Sequence, residues 1–527
     1  MLKKIFTLLI FLSPVFSFAQ NQDISGGVVF EGEPFMIQNP NNANHFVVAW
    51  IGYIFGKPIS IKTKATFNGG KTWSNYSFLP HHGTSFHSAD PSMAFDKNGN
   101  LFACYIDHYE TATTDSGGVY VAKSLDGGLT WTGGTSKVID INADGTKYPL
   151  DRPWLSIDNS NAAFQGHQYV TTKPAPWVAA PNRPYFEYST NGSTWLPWRH
   201  LDTTNFLVGN FIPAPMAVCA TASNGNLFCL YPSYVSSQNI LPGFILAKST
   251  NGGASFNYHG AFYQTSNQTT KDTSAKLGYH IFIDQNDTNH IAFIAAGNPV
   301  NDYDIFLVES KDGGSTWASP LRINDDAMNN GKMQELVWAD FDKNGNIGIA
   351  WRDHRNGVGT GYATASEIWG AVKWKDSTTA SANFRISDTL TTYNAQYLNA
   401  DGNDFMCVTM ANDTLNAAWG DVRTGHLNIY FSRVALKHNN STLVQNIVHE
   451  ELPTLKIYPN PAHDNLRISQ FENLKMIEVY DLSGKKVLEK EHLKLDNINV
   501  SRLPNGTYIL KAEDIFGNEY AAKFVKE

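Results

Sequence analysis

The sequence predicts an all-β protein in two parts, a β-propeller followed by a small C-terminal β-sandwich, and three observations carry this. The 527 residues are only 17% charged and 13% aromatic, with 41 Gly and 23 Pro. That profile suits many short strands joined by turns and disfavours a helical fold. A unit of about 60 residues recurs seven times between positions 25 and 440, the mark of a repeat architecture. The composition then breaks near residue 450. All 13 Trp lie at or before Trp419, and residues 453–527 hold 11 Lys+Arg and 11 Asp+Glu, against 27 and 37 in residues 20–452. Length alone suggests about three to five domains; the repeat replaces that with two. The net charge of −8 leaves no basic stripe to neutralise phosphates, which excludes a nucleic-acid partner.

At the N-terminus, Lys3 and Lys4 precede an apolar run from Ile5 to Phe16, and Ser17-Phe18-Ala19 supplies small residues for cleavage. Residues 1–19 are read as a secretory signal. The run is shorter than the ~20 residues that span a bilayer, and nothing later matches its apolar length, so no integral membrane segment is expected after signal removal. The four cysteines, at 104, 219, 229 and 407, fall in apolar strand-like runs and read as buried free thiols. Cys219 and Cys229 flank Asn224-Gly225 and form the one candidate disulfide across a hairpin.

The repeat is anchored by a Ser/Thr-x-Asp/Asn-x-Gly-x-Ser/Thr-aromatic box at Thr66 to Trp73, Ser124 to Trp131, Ser249 to Phe256 and Ser310 to Trp317, with a shorter version from Ser189 to Trp195. The box starts are 58, 65, 60 and 61 residues apart. An alternating strand precedes each box, as in Gly118 to Lys123 and Asp304 to Val308. Strands at Glu367 to Val372 and Asn428 to Val434 continue the period without a clear box. Upstream of each lie two more, such as Leu101 to Tyr105 behind Ser92 to Phe95. Seven units of three or four antiparallel strands are counted, with six blades as the alternative; closing the ring removes the exposed sheet edges of an open array. The propeller is placed at residues 20–440, a linker at 441–452 and the sandwich at 453–527.

In the tail, Ile457-Tyr458-Pro459-Asn460-Pro461, Val479-Tyr480-Asp481-Leu482-Ser483-Gly484-Lys485 and Leu503-Pro504-Asn505-Gly506-Thr507-Tyr508 resemble a C-terminal sorting domain of the type IX secretion system. The resemblance implies passage through the periplasm and outer membrane, the secretion machinery as partner, and a product that is secreted or held at the cell surface.

If the boxes cap one face, antiparallel order puts the starts of the first strands and the loops after the second strands on the other. That face gathers Glu33, His87, Asp90, Asp107, Asp151, Arg152, Lys173, Tyr279, His280, Glu335, Arg352, Asp404 and Arg423, a ring of converging polar groups suited to a ligand. The boxes resemble the Asp-box, or BNR repeat, of the sialidase-like propellers, which implies an exported glycoside hydrolase, close to an exo-alpha-sialidase, acting on an anionic or complex glycan. By that resemblance Arg152, Arg352 and Arg423 would clamp a carboxylate, with His280 also contacting substrate. Glu335 would activate Tyr279 or Tyr397, and Asp90 or Asp151 would act as the acid. The first unit departs from the family, reading Glu33-Pro34-Phe35-Met36-Ile37 where an aromatic-Arg-Ile-Pro sequence is expected.

Other readings stand beside these. Trp351-Arg352-Asp353-His354-Arg355-Asn356-Gly357 and Trp419-Gly420-Asp421-Val422-Arg423-Thr424-Gly425 share a Trp-x-Asp-x-Arg-x-Gly pattern, and a pattern repeated between units suits a loop brace. Asp140, Asn142, Asp144 and Asp151 approximate a calcium loop, the alternative being an Asx-rich turn; no cofactor is required. A polysaccharide lyase acting on a uronate polymer, or a non-catalytic propeller binding glycan or protein, would use the same face.

Overall fold

A computed structural model of the chain describes residues 21–111, 115–143, 145, 150–174, 183–202, 216–235, 240–260, 278–297, 302–360, 364–393, 403–437, 455–469, 474–481, 485–491, 497–514 and 519–527. The expected signal and linker, Asp144 and Tyr397 lie outside these. The described residues form strands and no helix. The chain divides into two compact units, one comprising 1–41, 47–64 and 76–437 and the other 42–46, 65–75 and 438–527.

Between residues 22 and 435 lie seven four-stranded antiparallel sheets. Their first strands are Glu31–Asn39, His87–Phe95, Leu150–Ile157, Val218–Thr221, Tyr279–Ile283, Gln334–Phe341 and Met406–Ala411. Each packs on the first strand of the next sheet, and the last packs on the first, so the ring closes as a propeller. The second strands are continuous apolar runs, such as Phe46 to Trp50 and Ile291 to Ala295, because both faces of each sheet are covered by neighbours. In the last sheet the fourth strand comes from the other end of the chain: Gln22–Asp23 pairs with Asn428–Ala435 through Gln22 opposite Phe431. This antiparallel pairing of segments far apart in sequence completes the last sheet and joins the two ends of the ring.

The repeated boxes make one turn after the third strand of their sheets. In Ser124 to Trp131 the Ser124 hydroxyl accepts the Gly128 N–H at 2.8 Å, and Asp126 accepts the Thr130 N–H at 2.9 Å and its hydroxyl at 2.6 Å. Ser310, Asp312 and Thr316 repeat this set. The paired glycines adopt φ of 74° and 91° at Gly127 and Gly128, a region a side chain would strain. The box aromatics tie sheets together: Trp131 Nε1 donates to Thr63 Oγ1 and Trp195 Nε1 to Ser136 Oγ, both at 3.0 Å. Cys219 and Cys229 are register partners across their hairpin, yet all four cysteines are free and buried.

Residues 457–526 fold as a three-stranded and a four-stranded antiparallel sheet. Alternation buries Leu466, Ile468, Ile477, Val479, Ile498, Leu510 and Phe524 as one core and leaves charged neighbours such as Lys475 and Lys486 in water.

Candidate active site

The first strands of the ring do not run straight at their starts. In the first three units the sequence reads Glu33-Pro34, Asp90-Pro91 and Arg152-Pro153, and the residue before each proline has a left-handed φ: 54°, 55° and 44°. Leu336 takes the same conformation at φ 52° and Gly278 at 68°. The ladders of the second, third and sixth sheets shift register between Ala89 and Ser92, between Asp151 and Trp154, and between Glu335 and Trp338. A bulge re-aims the side chain it carries, and left-handed backbone at residues with a Cβ is strain that the surrounding fold must hold in place. Glu33, Asp90 and Arg152 are thus turned out of the strand pattern into one cluster at the mouth of the ring.

Beneath the cluster the channel is filled by aromatic rings. Phe35 meets Trp154 edge-on with centroids 5.4 Å apart, Trp154 lies 5.5 Å from Trp338, and His280 stacks on Trp338 at 4.4 Å. Burial holds the His280 imidazole down to about 3, so it is neutral at ordinary pH. Its Nδ1 is buried with no hydrogen-bond partner among the described residues, as is Oε2 of Glu33.

The cluster itself is dominated by carboxyls. Asp90 lies within hydrogen-bonding reach of Glu33 and Asp151, and its Oδ2 accepts the Arg152 N–H at 3.2 Å. Burial, reinforced by the charges of Glu33 and Asp151, raises the Asp90 carboxyl well above the ordinary carboxylate range. Burial pushes Asp151 in the same direction, but Lys173, with its Nζ at 2.6 Å, and Arg152 outweigh it and hold Asp151 below that range. Two adjacent carboxyls with opposed protonation are what acid–base chemistry requires. Arg152 is ion-paired to Asp404 and lies over the Phe405 ring, 4.0 Å from Asp151, with its side chain 27% exposed. Four carboxyls, from Glu33, Asp90, Asp151 and Asp404, therefore surround two cations, Arg152 and Lys173.

Several expected roles are corrected. Arg352 is 1% exposed, and its Nε and Nη2 donate to Glu335 Oε1 at 3.1 and 2.8 Å. His354 Nε2 lies 3.1 Å from the same oxygen, and burial of Glu335 is outweighed by Arg352 and His354, which keep it ionised. Arg352 is therefore a buried ion-pair partner and not part of a carboxylate clamp. Glu335 cannot activate Tyr279, whose hydroxyl donates to the Met216 carbonyl at 2.7 Å and whose acidity burial suppresses. Arg423 is a brace: its backbone N–H and Nη2 donate to Asp421 at 2.9 and 2.8 Å, its guanidinium lies over Tyr430, and Trp419 Nε1 donates to Asp421 at 3.0 Å. Trp351, Asp353 and Arg355 repeat that arrangement. Of the calcium set, Asp144 lies outside the described residues and the other three have partners of their own. Asp140 accepts from Lys137 and from the Asn142 N–H, both at 3.0 Å, Asp151 belongs to the mouth cluster, and no group of three acidic, His or Cys residues that could hold a metal occurs among the described residues. Asp90, Asp151 and Arg152 do meet, with His280 in the aromatic layer below. Glu33 and Asp404, known from sequence only as members of a broad ring, complete the cluster. The repeated acidic-or-basic residue before proline inside a strand was the signal that could have selected Glu33, Asp90 and Arg152 together.

Comparison with known proteins identifies the tail. Residues 456–527 match the family model described as a secretion system C-terminal sorting domain. This is a type IX sorting domain. It marks the chain for export to the cell surface or the extracellular space, and no helix among the described residues is long and apolar enough to cross a membrane. No match to a curated protein sequence was found. Among solved structures, similarity extends to the BP39L lectin from Burkholderia pseudomallei, 10% identical over 78% of this chain and 100% of that one, with a TM-score of 0.47. The NanB sialidase from Streptococcus pneumoniae is 12% identical over 80% of this chain and 70% of its own, with a TM-score of 0.39. The GH93 alpha-L-arabinofuranosidase of Fusarium graminearum is 13% identical over 79% and 97%, with a TM-score of 0.40.

Proposed function

We propose that the propeller is a glycoside hydrolase of neutral glycans, delivered outside the cell by its sorting domain, with Asp90 as the general acid and Asp151 as its ionised partner. The observation that carries this reading is the opposed protonation of two carboxyls in one strained cluster at the mouth. Asp90 holds a proton to give to the glycosidic oxygen as the bond breaks. Asp151, kept anionic by Lys173, faces the positive charge that develops on the sugar carbon. The buried Glu33 Oε2 and His280 Nδ1 have no hydrogen-bond partner among the described residues, which leaves polar capacity at the site for a ligand to satisfy, and the aromatic layer beneath suits the apolar face of a pyranose or furanose ring.

The charge balance favours a neutral sugar over an anionic one. A carboxylate clamp needs guanidinium groups with few competing anions, whereas Arg152 already faces Asp404 and Asp151 and the other two candidate arginines are engaged elsewhere. Neutral oligosaccharides, sialosides and uronate polymers incubated separately with the full chain test the assignment. Reducing sugar released from neutral substrates supports it. Cleavage of sialosides alone would restore the anionic reading, an unsaturated uronate product would indicate a lyase, and binding without product would leave a lectin-like propeller.

A further inference from the structure

A second constellation lies at the starts and ends of strands on the same face, in the first two sheets, and shares no residue with the carboxyl cluster. Ser60 opens the strand Ser60–Thr66, His81 lies in the segment that leads to the strand His87–Phe95, and Asp107 sits near the end of the strand Leu101–Glu110. Ser60 Oγ is 2.7 Å from His81 Nε2, and His81 Nδ1 is 2.8 Å from Asp107 Oδ1. Asp107 is fully buried, and each of its oxygens is engaged: Oδ1 also accepts from Ser88 at 2.9 Å, and Oδ2 accepts the His82 N–H at 2.7 Å and lies 3.1 Å from His82 Nδ1. His82 is itself locked by stacking on Tyr120, centroids 3.6 Å apart.

We propose that Ser60, His81 and Asp107 form a nucleophile–base–orienter set that hydrolyses carboxylic esters of small acyl groups. An ionised Asp107 requires the N–H of His81 on Nδ1, which leaves the Nε2 lone pair facing the Ser60 hydroxyl. That tautomer is the one a general base needs. The hydroxyl's other acceptor, the Pro58 carbonyl, is farther at 3.1 Å. Ser60 is 9% exposed and the His81 side chain 23%, so the serine is reached only along a narrow approach, and Ile59 beside it is an exposed apolar neighbour. The proposal therefore takes a short acyl chain such as acetyl, which needs the least room beside a nearly covered serine.

The chemistry closes in two steps. Ser60 Oγ bonds to the acyl carbon as its proton passes to His81 Nε2, and the ester C–O bond breaks with the alcohol leaving on that proton. Water then attacks the acyl-Ser60 carbon, giving one proton to His81, and the carboxylic acid leaves as the proton returns to Ser60 Oγ. No oxidant, metal or cofactor enters. Asp107 touches no reacting atom and is a positioning residue.

The full chain treated with a fluorophosphonate probe and mapped by peptide mass spectrometry tests this directly. The expected result is covalent label on Ser60, together with 1-naphthyl acetate hydrolysis that falls at least about 10³-fold in Ser60→Ala and His81→Gln. Asp107→Asn should shift the pH profile of the remaining activity, which a brace alone would not do. Unchanged tryptophan fluorescence shows that each variant is folded. Absence of label on Ser60 in the folded wild-type chain, or hydrolysis by Ser60→Ala at the wild-type rate, would overturn the proposal. Neither result bears on the carboxyl cluster, so this proposal and the glycosidase reading fail separately.

Discussion

Replacing Asp90 by glycine and by alanine separates the backbone's contribution from the side chain's. Both variants remove the same carboxyl, its contacts with Glu33 and Asp151, and the bond from the Arg152 N–H, so these effects cancel between them. What remains is the Cβ. At an ordinary strand position glycine is the less stable of the two by about 0.5–1 kcal/mol, because its unfolded chain has more freedom to lose. At φ 55° the Cβ of alanine carries a penalty of about 1–2 kcal/mol that glycine avoids. The sign therefore reverses: Asp90→Gly should be more stable than Asp90→Ala by about 0.5–1 kcal/mol. Urea unfolding followed by tryptophan fluorescence reads this, and since no Trp follows Trp419 the tail is silent. Ala94→Gly in the same strand is the control and should lose stability. If Asp90→Ala equals or exceeds Asp90→Gly, the mouth is not held under strain and the account of how these residues are aimed is wrong.

The other predictions concern the groups around the site. Asp353→Ala should cost about 2 kcal/mol by the same urea assay, since it leaves the buried Trp351 Nε1 without its acceptor and removes one partner of the Arg355 guanidinium, which keeps Asp325 and Asn383; a loss below about 1 kcal/mol would remove its standing as a brace. Arg352→Ala should destabilise by about 3 kcal/mol, since the buried Glu335 charge then loses its guanidinium partner and keeps His354 beside it, while leaving substrate KM unchanged in whatever fraction stays folded. Asp107 adds a pH signature. Although burial opposes it, hydrogen bonds from His81, His82 and Ser88 hold its carboxyl down to about 2. A depressed folded-state value contributes stability above the unfolded value near 4 and loses it as pH falls from there to about 2. The contribution is about 2 kcal/mol. Acid titration of stability in Asp107→Asn should be flatter over that window, and an unchanged slope would contradict the network.

Most of the architecture was legible because it is local and repeated. The box fixes a turn through its own hydroxyl, acid and glycines, so each copy announces the end of a third strand, and the apolar runs upstream give the first and second strands to within a few residues. The tail was legible for the same reason, as its alternation maps directly onto a two-faced sheet. The short fourth strands were not, since two-residue elements such as Leu321–Arg322 carry no period. Nor was the pairing of Gln22–Asp23 with the last sheet, which depends on ring closure. In the candidate site, sequence placed Asp90, Asp151 and Arg152 on one face, where the structure brings them together, but could not separate Arg352 from Arg152. Both follow apolar or acidic residues near a strand end. Only long-range packing puts Arg352 against Glu335 and His354 in the interior while a bulge turns Arg152 outward. His81 and His82 escaped notice because they lie in a connecting segment, and their partner Asp107 is 25 or more residues away.

The central claim, that Asp90 protonates the leaving oxygen, is tested most directly by the leaving-group dependence of kcat/KM in Asp90→Asn. Two neutral glycosides of one sugar suffice, one with an activated aryl leaving group and one with an alkyl or sugar leaving group. The account predicts a loss of about 10²–10⁴-fold for the poor leaving group and a far smaller loss for the activated aryl group, which departs without a proton. Equal losses for both substrates, or none, would contradict it.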